Sequence, residues 1–512
     1  MPLNLLNKIN RILYPMKKQK FFLVILLSVM MFQGRGQTIL TLEQALEMAS
    51  KQSPALQSSL YNLERTTETL NAQRAALKSQ FSLGVNPVVY SNSRQFDTRL
   101  SQWFTNRSFS TSGTFTVAQP ILYTDGMISL NNQFGWQNNS SQVAGATNSN
   151  KTFFNNLNLS LSQPLFMYNK TKMGIKNVEY DNETALLSYK IQRMTLEMSV
   201  SQYFYNVYMA QMSLTINQEE LANTEKSYEI IKNKVDAGLA AKEELFQAEV
   251  NLATSKSTCA SGRVELENAK DLFKQYIGMD IFNEITVMAD VVVNPIDIDG
   301  KKAMEHGLSS RLELRQRKIN IETSKLDLIV VKAFNQFSGS ATLSVGLSGD
   351  DPTLSNIYDK PTQSPRYSLG FNIPIFDWGQ RKAKIRAQQA VIKTQELSLS
   401  NQETQIKMDI RQAIRNLGNL KNQIELAFQN QKNSQLTYDI NLERYKNGDL
   451  TSMDLNLFQQ QLSGKKMAYA QSLINYKIAL LNLKIVSLFD FTTNQAVIPD
   501  KFVRDLQVNQ IK

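Results

Sequence analysis

Two long segments without helix breakers constrain the fold of this chain more than any other feature. Residues 175–237 contain neither Gly nor Pro, and residues 380–447 contain no Pro and one Gly, Gly418. Both segments far exceed the 8–20 residues of an ordinary globular helix, and at 1.5 Å per residue each would be roughly 95 Å long. The chain is therefore predicted to contain two very long α-helices.

Each long segment carries an apolar seam whose spacing alternates between four and three residues. The seam residues are Leu196, Val200, Tyr203, Val207, Ala210 and Leu214 in the first segment, and Ile406, Ile410, Ala413, Leu417, Leu420 and Ile424 in the second. A repeat of 3.5 residues buries a narrow stripe against a neighbouring helix. The seams therefore predict coiled-coil packing.

The two seams are offset by 210 residues, and the offset persists well beyond them. Further matched positions are Pro164 and Pro374, Gly238 and Gly448, Leu245 and Leu455, and Ala269 and Ala479. A constant offset indicates an internal duplication, so 161–277 and 371–487 are predicted to be copies of one unit. The predicted repeats are 37–297 and 298–490, followed by a tail, 491–512.

A helix predicted at 42–56 resembles 300–314 at a larger offset, 258 residues. The difference places about 48 extra residues in the first copy, between roughly Tyr90 and Lys151. Two alternating segments within 91–151 flank the turn sequence Thr124–Gly126, which predicts an inserted hairpin. The hairpin would either extend a sheet outward or fold over a pore mouth.

Short segments between the helices alternate between apolar and small, uncharged polar residues. The apolar positions are Phe81, Leu83 and Val85, then Leu157, Leu159 and Leu161, then Ala341, Leu343, Val345 and Leu347, and Tyr367, Leu369, Phe371 and Ile373. A transmembrane barrel strand needs such faces, although half-buried strands of soluble sheets alternate too. Four strands cannot close a barrel with a lumen, so a barrel would have to be shared between subunits.

The N-terminus has the pattern of an export signal. Lys17, Lys18 and Lys20 precede the apolar run Phe21 to Phe32, which is too short to span a bilayer. Residues 1–36 are predicted to be a signal peptide cleaved near Gly36/Gln37, with no cysteine nearby for lipid attachment. No later segment approaches 18 consecutive apolar residues, so entry into a membrane would require a β-barrel.

Composition excludes several classes of chemistry. The formal charge is +11, but six basic residues lie in 1–36 and leave +5, too little to support nucleic-acid binding. A single cysteine, Cys259, excludes an internal disulfide, and a single histidine, His306, excludes a multi-His metal centre. The motifs of P-loop nucleotide binding, nucleophile elbows and zinc proteases are absent from the sequence. No enzyme activity, cofactor or metal is therefore expected.

From Leu42 to about Asp490 the chain resembles the TolC-type outer-membrane efflux protein family. The resemblance rests on the duplicated layout, on "QPLF" and "IPIF" at the strand-to-helix junctions, and on the turn motifs at 234–249 and 444–460. It implies an α+β membrane protein, a homotrimer in which each subunit gives four strands to a twelve-stranded outer-membrane β-barrel. A long coiled-coil α-helical barrel in the periplasm would continue from it.

The same resemblance implies function and partners. Such proteins are passive exit ducts for drugs, toxic compounds or secreted polypeptides, in efflux pumps or type I secretion systems. They contact outer-membrane lipid and join proton-driven or ATP-driven inner-membrane pumps through a periplasmic adaptor. An exported coiled-coil structural or adhesive envelope protein without a pore is the alternative, and a basic nucleic-acid binder is disfavoured.

The resemblance also assigns candidate site residues. The helix-reversing turns would dock the adaptor through Ala237, Gly238, Leu239, Asn447, Gly448, Asp449 and Leu450. Glu244 and Asp454 would line a constricted pore aperture, or they are ordinary solvated helix charges. Pro164 and Pro374 would mark the strand-to-helix junctions. Phe166 and Phe376 beside them would either lie at the membrane interface or pack inside the domain.

Overall fold

The computed structural model describes residues 38–98, 101–143 and 146–497. The predicted signal peptide, its cleavage site and residues 498–512 of the predicted tail lie outside this part of the chain. The described residues form two compact units. The first combines residues up to Gln57 with Arg193–Ala303 and Ile410–Val497, and the second combines Ser58–Gln192 with Met304–Asp409. Each unit thus takes segments from both predicted repeats, and the division into repeats remains a prediction.

The described residues contain eight α-helices. They are α1 (Leu42–Gln52), α2 (Pro54–Ala75), α3 (Lys170–Asp236), α4 (Lys242–Ile277), α5 (Gly300–Ser310), α6 (Leu312–Ala333), α7 (Gln380–Asn447) and α8 (Ser452–Ser487). The two halves have the same helix order, since a short helix, a longer one, a very long one and a 36-residue one recur. None of these helices is long and apolar enough to cross a membrane.

The two very long helices form where the absence of breakers predicts them. Helix α3 has 67 residues and α7 has 68. Most residues of their seams are buried, with Val200 and Val207 of α3 and Ile410 of α7 completely inaccessible. In the first unit the α7 seam packs against α8, where Leu483 is also fully buried.

The predicted helix at 42–56 is broken into two. Helix α1 ends at Gln52, Ser53 is its C-cap, and α2 begins with Pro54. Proline has no N–H to continue the helical ladder and disfavours a helical conformation in the residue before it, so the helix must interrupt there. The second half has the same break at Arg311, between α5 and α6, without a proline.

The second unit contains an antiparallel sheet of six strands, in which the four strands predicted for each chain are joined by the two of the predicted hairpin. They are β2 (Gln80–Asp97), β3 (Gln102–Ile121), β4 (Gly126–Val143), β5 (Ala146–Leu165), β7 (Ser338–Asp351) and β8 (Thr362–Asn372), paired in this order. The remaining strands are short: β1 (Thr38–Leu40), β6 (Ile285–Val287), β9 (Phe489–Asp490) and β10 (Gln495–Ala496).

The inserted hairpin accounts for the two additional strands. Strands β3 and β4 lie between β2 and β5 and pair with them along most of their length. The turn sequence at Thr124–Gly126 links β3 to β4, with Asp125 in the left-handed conformation at φ +60°. The hairpin therefore lies inside the sheet, between β2 and β5, and does not fold over it. It widens the sheet from within.

A short parallel strand pair in the first unit is hydrogen-bonded to α3. Strand β1 pairs in parallel with β6, and the side chain of Gln211 from α3 reaches the same strand. The Gln211 amide accepts a hydrogen bond from Val287 N–H at 3.0 Å and donates one to Val287 C=O at 3.3 Å. One polar side chain thereby satisfies both backbone groups of an edge residue.

In the second unit, polar contacts join α3 to α2 and α6. Asn182 accepts hydrogen bonds from the hydroxyls of Thr66 and Thr67 at 3.1 and 3.0 Å. Arg315 donates two hydrogen bonds to the Glu183 carboxylate at 2.6 and 3.0 Å. Bidentate geometry of this kind fixes orientation as well as distance, so it sets the rotation of α6 against α3.

Gly278 should be the glycine least tolerant of substitution in the first unit. It ends α4 at φ +77°, and an added Cβ would lie 2.3 Å from the Gln52 carbonyl oxygen. Gly278→Ala is expected to cost about 2 kcal/mol or more, from left-handed strain plus this clash. Thermal unfolding in detergent, followed by circular dichroism, measures the loss.

Gly464→Ala is the matched control. Gly464 lies on the exposed side of α8 and has no atom within 4 Å of a built Cβ. This replacement should stabilise the helix by up to about 1 kcal/mol. Equal unfolding temperatures for the two variants would contradict the assignment.

Candidate functional site

One face of the six-stranded sheet carries an apolar row that crosses all six strands, and Asn132 and Asn155 lie on the same face further along the strands. Residues paired in an antiparallel ladder point to the same side, so a row of partners shows the chemistry of one face. One such row runs Phe81, Val117, Leu130, Leu159, Val345 and Pro365. These side chains are not buried within the chain, since Phe81 is 68% exposed, Leu159 50% and Val345 52%.

The opposite face carries small polar side chains that bond to one another. Thr116 donates to the Asn131 side-chain oxygen at 2.8 Å, and Ser348 donates to that of Asn156 at 2.7 Å. The hydroxyls of Ser129 and Ser160 lie 2.7 Å apart. Cross-strand polar ladders of this type satisfy their own groups and still leave a surface compatible with water.

Charge is nearly absent from the part of the sheet next to the helices. Residues 110–121, 126–137 and 153–165, on β3, β4 and β5, contain no Asp, Glu, Lys or Arg. Strand β8 carries one charged residue, Arg366, whose partner Ser344 belongs to the polar face. The apolar face is therefore uncharged in these segments.

The sheet has two open edges. In the described part of the chain, β2 and β8 each pair on one side. Every described side chain of β2 and every side chain of β8 is exposed, whereas most of those on β3 are half-buried. Unpaired edge strands present a row of backbone donors and acceptors to a further strand.

Aromatic rings lie where the strands give way to helices. Pro164 is the penultimate residue of β5, and Phe166 follows with φ +59° and 62% exposure. The Phe166 ring lies 5.2 Å from that of Phe337, which stacks on Phe371 at 5.7 Å. Phe166 thus contacts other rings but stays largely accessible.

The second junction is similar in chemistry. Pro374 follows β8, and Phe376 is 71% exposed with its ring 4.7 Å from that of Trp378. Trp378 is itself 90% exposed. Phe166 and Phe376 thus each contact another aromatic ring and are both largely accessible within the chain.

The two helix-reversing turns have the same backbone geometry. Gly238 and Gly448 have φ values of +72° and +89°, the left-handed conformation that the spacing predicts. After each glycine a backbone N–H reaches back five residues, from Leu239 to Lys234 C=O at 2.8 Å and from Asp449 to Arg444 C=O at 2.9 Å. Both long helices therefore end in the same capping motif.

Most predicted turn residues are accessible. Ala237, Gly238, Leu239, Asn447, Gly448 and Asp449 are exposed. Leu450 is half-buried and packs against a cluster formed by Tyr438, Tyr445, Leu455 and Leu462. Exposed Leu239, at 79%, is the largest apolar side chain at the first turn.

Asp454 is held by the start of α8. Thr451 is the N-cap: its hydroxyl donates to Asp454 Oδ2 at 2.7 Å and accepts from Asp454 N–H at 3.2 Å. The equivalent residue before α4 is Ala241, which provides no side-chain cap. Asp454 is thus half-buried and oriented, whereas Glu244 is exposed.

The structure brings the two turns together around Tyr445. The Lys234 ammonium lies 5.1 Å from the centre of the Tyr445 ring, and the ring is 3% exposed. Burial, followed by the nearby Glu244 carboxylate, raises the pKa of Tyr445 above its ordinary value. The Tyr445 hydroxyl has no hydrogen-bond partner within the described chain.

Sequence reasoning did not single out Tyr445. A signal was present, because Tyr438 and Tyr445 are seven residues apart, as are Leu455 and Leu462 on the facing helix. This heptad spacing continues the coiled-coil seam to the turn. No cluster of three or more potential metal ligands occurs among the described residues.

A largely apolar sheet face, open sheet edges and capped helical hairpins are together typical of envelope proteins that contact a membrane. The family model of the outer membrane efflux protein matches residues 127–278 and 340–486, which is more than half of the chain. The chain belongs to this family, which confirms the resemblance seen in the sequence.

A curated relative gives a partial match. The cation efflux system protein CusC of Escherichia coli K12 is 24% identical over 265 residues, covering 49% of this chain and 56% of CusC. The chain thus matches little more than half of that relative's length.

Solved structures share the fold over most of their length. The CmeC outer membrane channel of Campylobacter jejuni has a TM-score of 0.69 at 14% identity, covering 91% of this chain and 88% of CmeC. The MtrE outer membrane channel of Neisseria gonorrhoeae, in its open state, has a TM-score of 0.63 at 14% identity, covering 87% and 88%. At such low identity these similarities establish the fold.

The difference in capping between the two turns predicts a difference in local stability. Thr451→Ala should cost about 1 kcal/mol at the start of α8, and Ala241→Thr should stabilise the start of α4 by a similar amount. Hydrogen–deuterium exchange of peptides covering the two helix starts measures both effects. Unchanged exchange at α8 in Thr451→Ala would show that the cap contributes nothing.

Proposed function

We propose that this chain is an outer-membrane exit duct, which passively conducts substrates from an inner-membrane transporter to the cell exterior. The observation that supports this most is the two-faced sheet. Its apolar face matches lipid and its polar, self-bonded face matches a water-filled lumen. Membership of the outer membrane efflux protein family agrees with this assignment.

Lipid contact explains features that a soluble protein would not need. A charged side chain at the bilayer midplane costs about 2–4 kcal/mol on the lipid side of a barrel strand. The missing charges in 110–121, 126–137 and 153–165 remove that cost. Phe166 and Phe376, exposed at the junctions, would lie in the membrane interface where aromatic rings are favoured.

A single chain leaves both sheet edges open, so the duct requires several copies. We infer a homotrimer whose sheets close one transmembrane β-barrel and whose helices form a periplasmic α-helical barrel. Edge strands exposed along their whole length are a liability for an isolated monomer. Closing the sheet through neighbouring copies removes that liability.

The helical turns would serve the partner and the aperture. Exposed Ala237, Gly238, Leu239, Asn447, Gly448 and Asp449, with half-buried Leu450, would dock a periplasmic adaptor that connects a proton-driven or ATP-driven pump. Glu244 and Asp454 would line the narrow end of the duct. Because Thr451 fixes the Asp454 carboxylate, three copies would present a defined ring of negative charge that favours cations.

Substrates would be drugs, other toxic small molecules or polypeptides, and type I secretion remains one of the proposed settings. The duct would need no catalytic residue or cofactor of its own. An envelope coiled coil without a pore would have no use for a wide sheet with an exposed apolar face.

The proposal predicts where the protein is found and how it migrates. The mature chain should fractionate with outer membranes and give an oligomer on gels that dissociates on heating, because strand pairing between copies would satisfy the backbone groups of the sheet edges within the bilayer. A monomer recovered from the soluble periplasmic fraction would overturn the proposal.

Asp454→Asn tests the aperture. Asparagine keeps the hydrogen bond to Thr451, so the cap survives while three charges are removed from the ring. Cation preference in planar bilayers should fall by roughly twofold or more. Asp439→Asn, on an exposed turn of α7, is the control and should leave ion selectivity unchanged. Equal selectivity in all three proteins would remove Asp454 from the pore.

A further inference from the structure

The two strands of the inserted hairpin have the same apolar and polar faces as their neighbours in the sheet. Its strands β3 and β4 place Val117 and Leu130 in the apolar row between Phe81 and Leu159. They place Thr116 and Asn131 in the polar face, bonded to each other. A hairpin folded over a pore mouth would have no reason to match both faces of its neighbours in register.

The strands of the sheet are staggered along their length, as the tilted strands of a closed barrel must be. The row that begins at Gln80 of β2 ends at Arg366 of β8, but β8 continues six residues further, to Asn372. At about 3.3 Å per residue and about 4.8 Å between strands, this displacement corresponds to a strand tilt of about 40°. Closed membrane barrels have tilts of about 35–45°.

The two edges are complementary to each other. Six antiparallel strands are an even number, so β8 of one copy runs antiparallel to β2 of the next when they lie side by side. Setting Gln80 level with Asn372 pairs Phe81 with Phe371, Leu83 with Leu369, and Ser82 with Gly370. Apolar residues then meet apolar ones and small polar residues meet each other, so both faces continue across the junction.

The same register explains where the ladder between copies would end. It sets Pro87 of β2 opposite Pro365 of β8, two residues that cannot donate a backbone hydrogen bond. The bulge in β2 between Asn86 and Val89 begins at this level. Pairing between copies would therefore span about six residues, from Phe81 onward.

We propose that three copies close an eighteen-stranded wall through β8–β2 pairing, and that the inserted hairpin contributes a third of it. This rests on the proposed function and departs from the twelve strands that the family resemblance implied. In the closed wall the six-residue displacement spans the six strand spacings of each copy, which gives a tilt of about 35°. At about 4.8 Å spacing, eighteen strands then give a backbone diameter of about 34 Å, against about 23 Å for twelve. Barrels of 16–18 strands enclose an aqueous channel, so the mouth would admit bulky hydrated substrates.

Cysteine cross-linking tests the junction in the full-length protein in outer membranes. In a Cys259→Ser background, Leu83→Cys with Leu369→Cys should form disulfides between chains and give linked dimers and trimers on non-reducing gels. The control pair is Leu83→Cys with Gln363→Cys. These two positions lie in one row of the sheet and would meet between copies only if β2 and β8 were aligned without the six-residue stagger. The control pair should not cross-link.

Lysine substitutions test whether the hairpin faces lipid. Leu130→Lys should reduce the outer-membrane oligomer by about tenfold, while the neighbouring Asn131→Lys, on the polar face, should leave it near the unsubstituted level. Because the two residues are adjacent on β4, a general folding defect would affect both.

The outcomes separate the two proposals. Cross-linking at Leu83/Leu369, together with loss of the oligomer in Leu130→Lys alone, supports the eighteen-stranded wall. A membrane-bound oligomer without that cross-link, or one that tolerates Leu130→Lys, overturns the wall and leaves the duct standing. An unsubstituted protein that forms no outer-membrane oligomer overturns the duct itself.

Discussion

The pairing register of the six-stranded sheet is the constraint on which the rest of this protein depends. Side chains alternate between faces with a period of two, so a slip of one residue in any ladder would turn apolar groups toward the polar side. The register across five ladders keeps Phe81, Leu130 and Val345 on one face and the bonded pair Thr116 and Asn131 on the other. Everything proposed about lipid, lumen and neighbouring copies follows from this separation.

The two helical hairpins reverse direction through the same backbone geometry. A long helix packed along an apolar seam must reverse, and a left-handed glycine lets the chain turn while the last carbonyls still find donors. Gly238 and Gly448 give the two turns the same backbone. Their side chains differ, since Thr451 fixes Asp454 whereas Ala241 leaves Glu244 unrestrained. The same turn geometry thus recurs, and small local differences decide how each acidic side chain is held.

Much of the fold could be predicted because its signals are local. Breaker-free segments and seam spacing indicated the two long helices. Alternation of apolar and polar residues indicated a segment of each of the six strands. Other features depend on partners remote in sequence. The hairpin lies between β2 and β5 because its strands match both neighbours at once, which no single segment reveals. Tyr445 became notable through Lys234 and Glu244, which lie on the other helical hairpin. The helix break at Ser53, by contrast, has a local cause, since Pro54 disfavours a helical conformation in the residue before it.

The sequence by itself determined the types of element, the two faces of each strand and the glycine-capped turns, because those follow from backbone preferences and from the period of side chains along one segment. The tertiary structure alone decided how many strands share one sheet, which residues share a row and which edges stay open. Those are properties of pairing between distant segments, where hydrogen bonding is satisfied in many possible registers and the matching of side chains on both faces selects one. The tertiary structure therefore decided that all six strands share one sheet, and with it the width of the proposed eighteen-stranded wall.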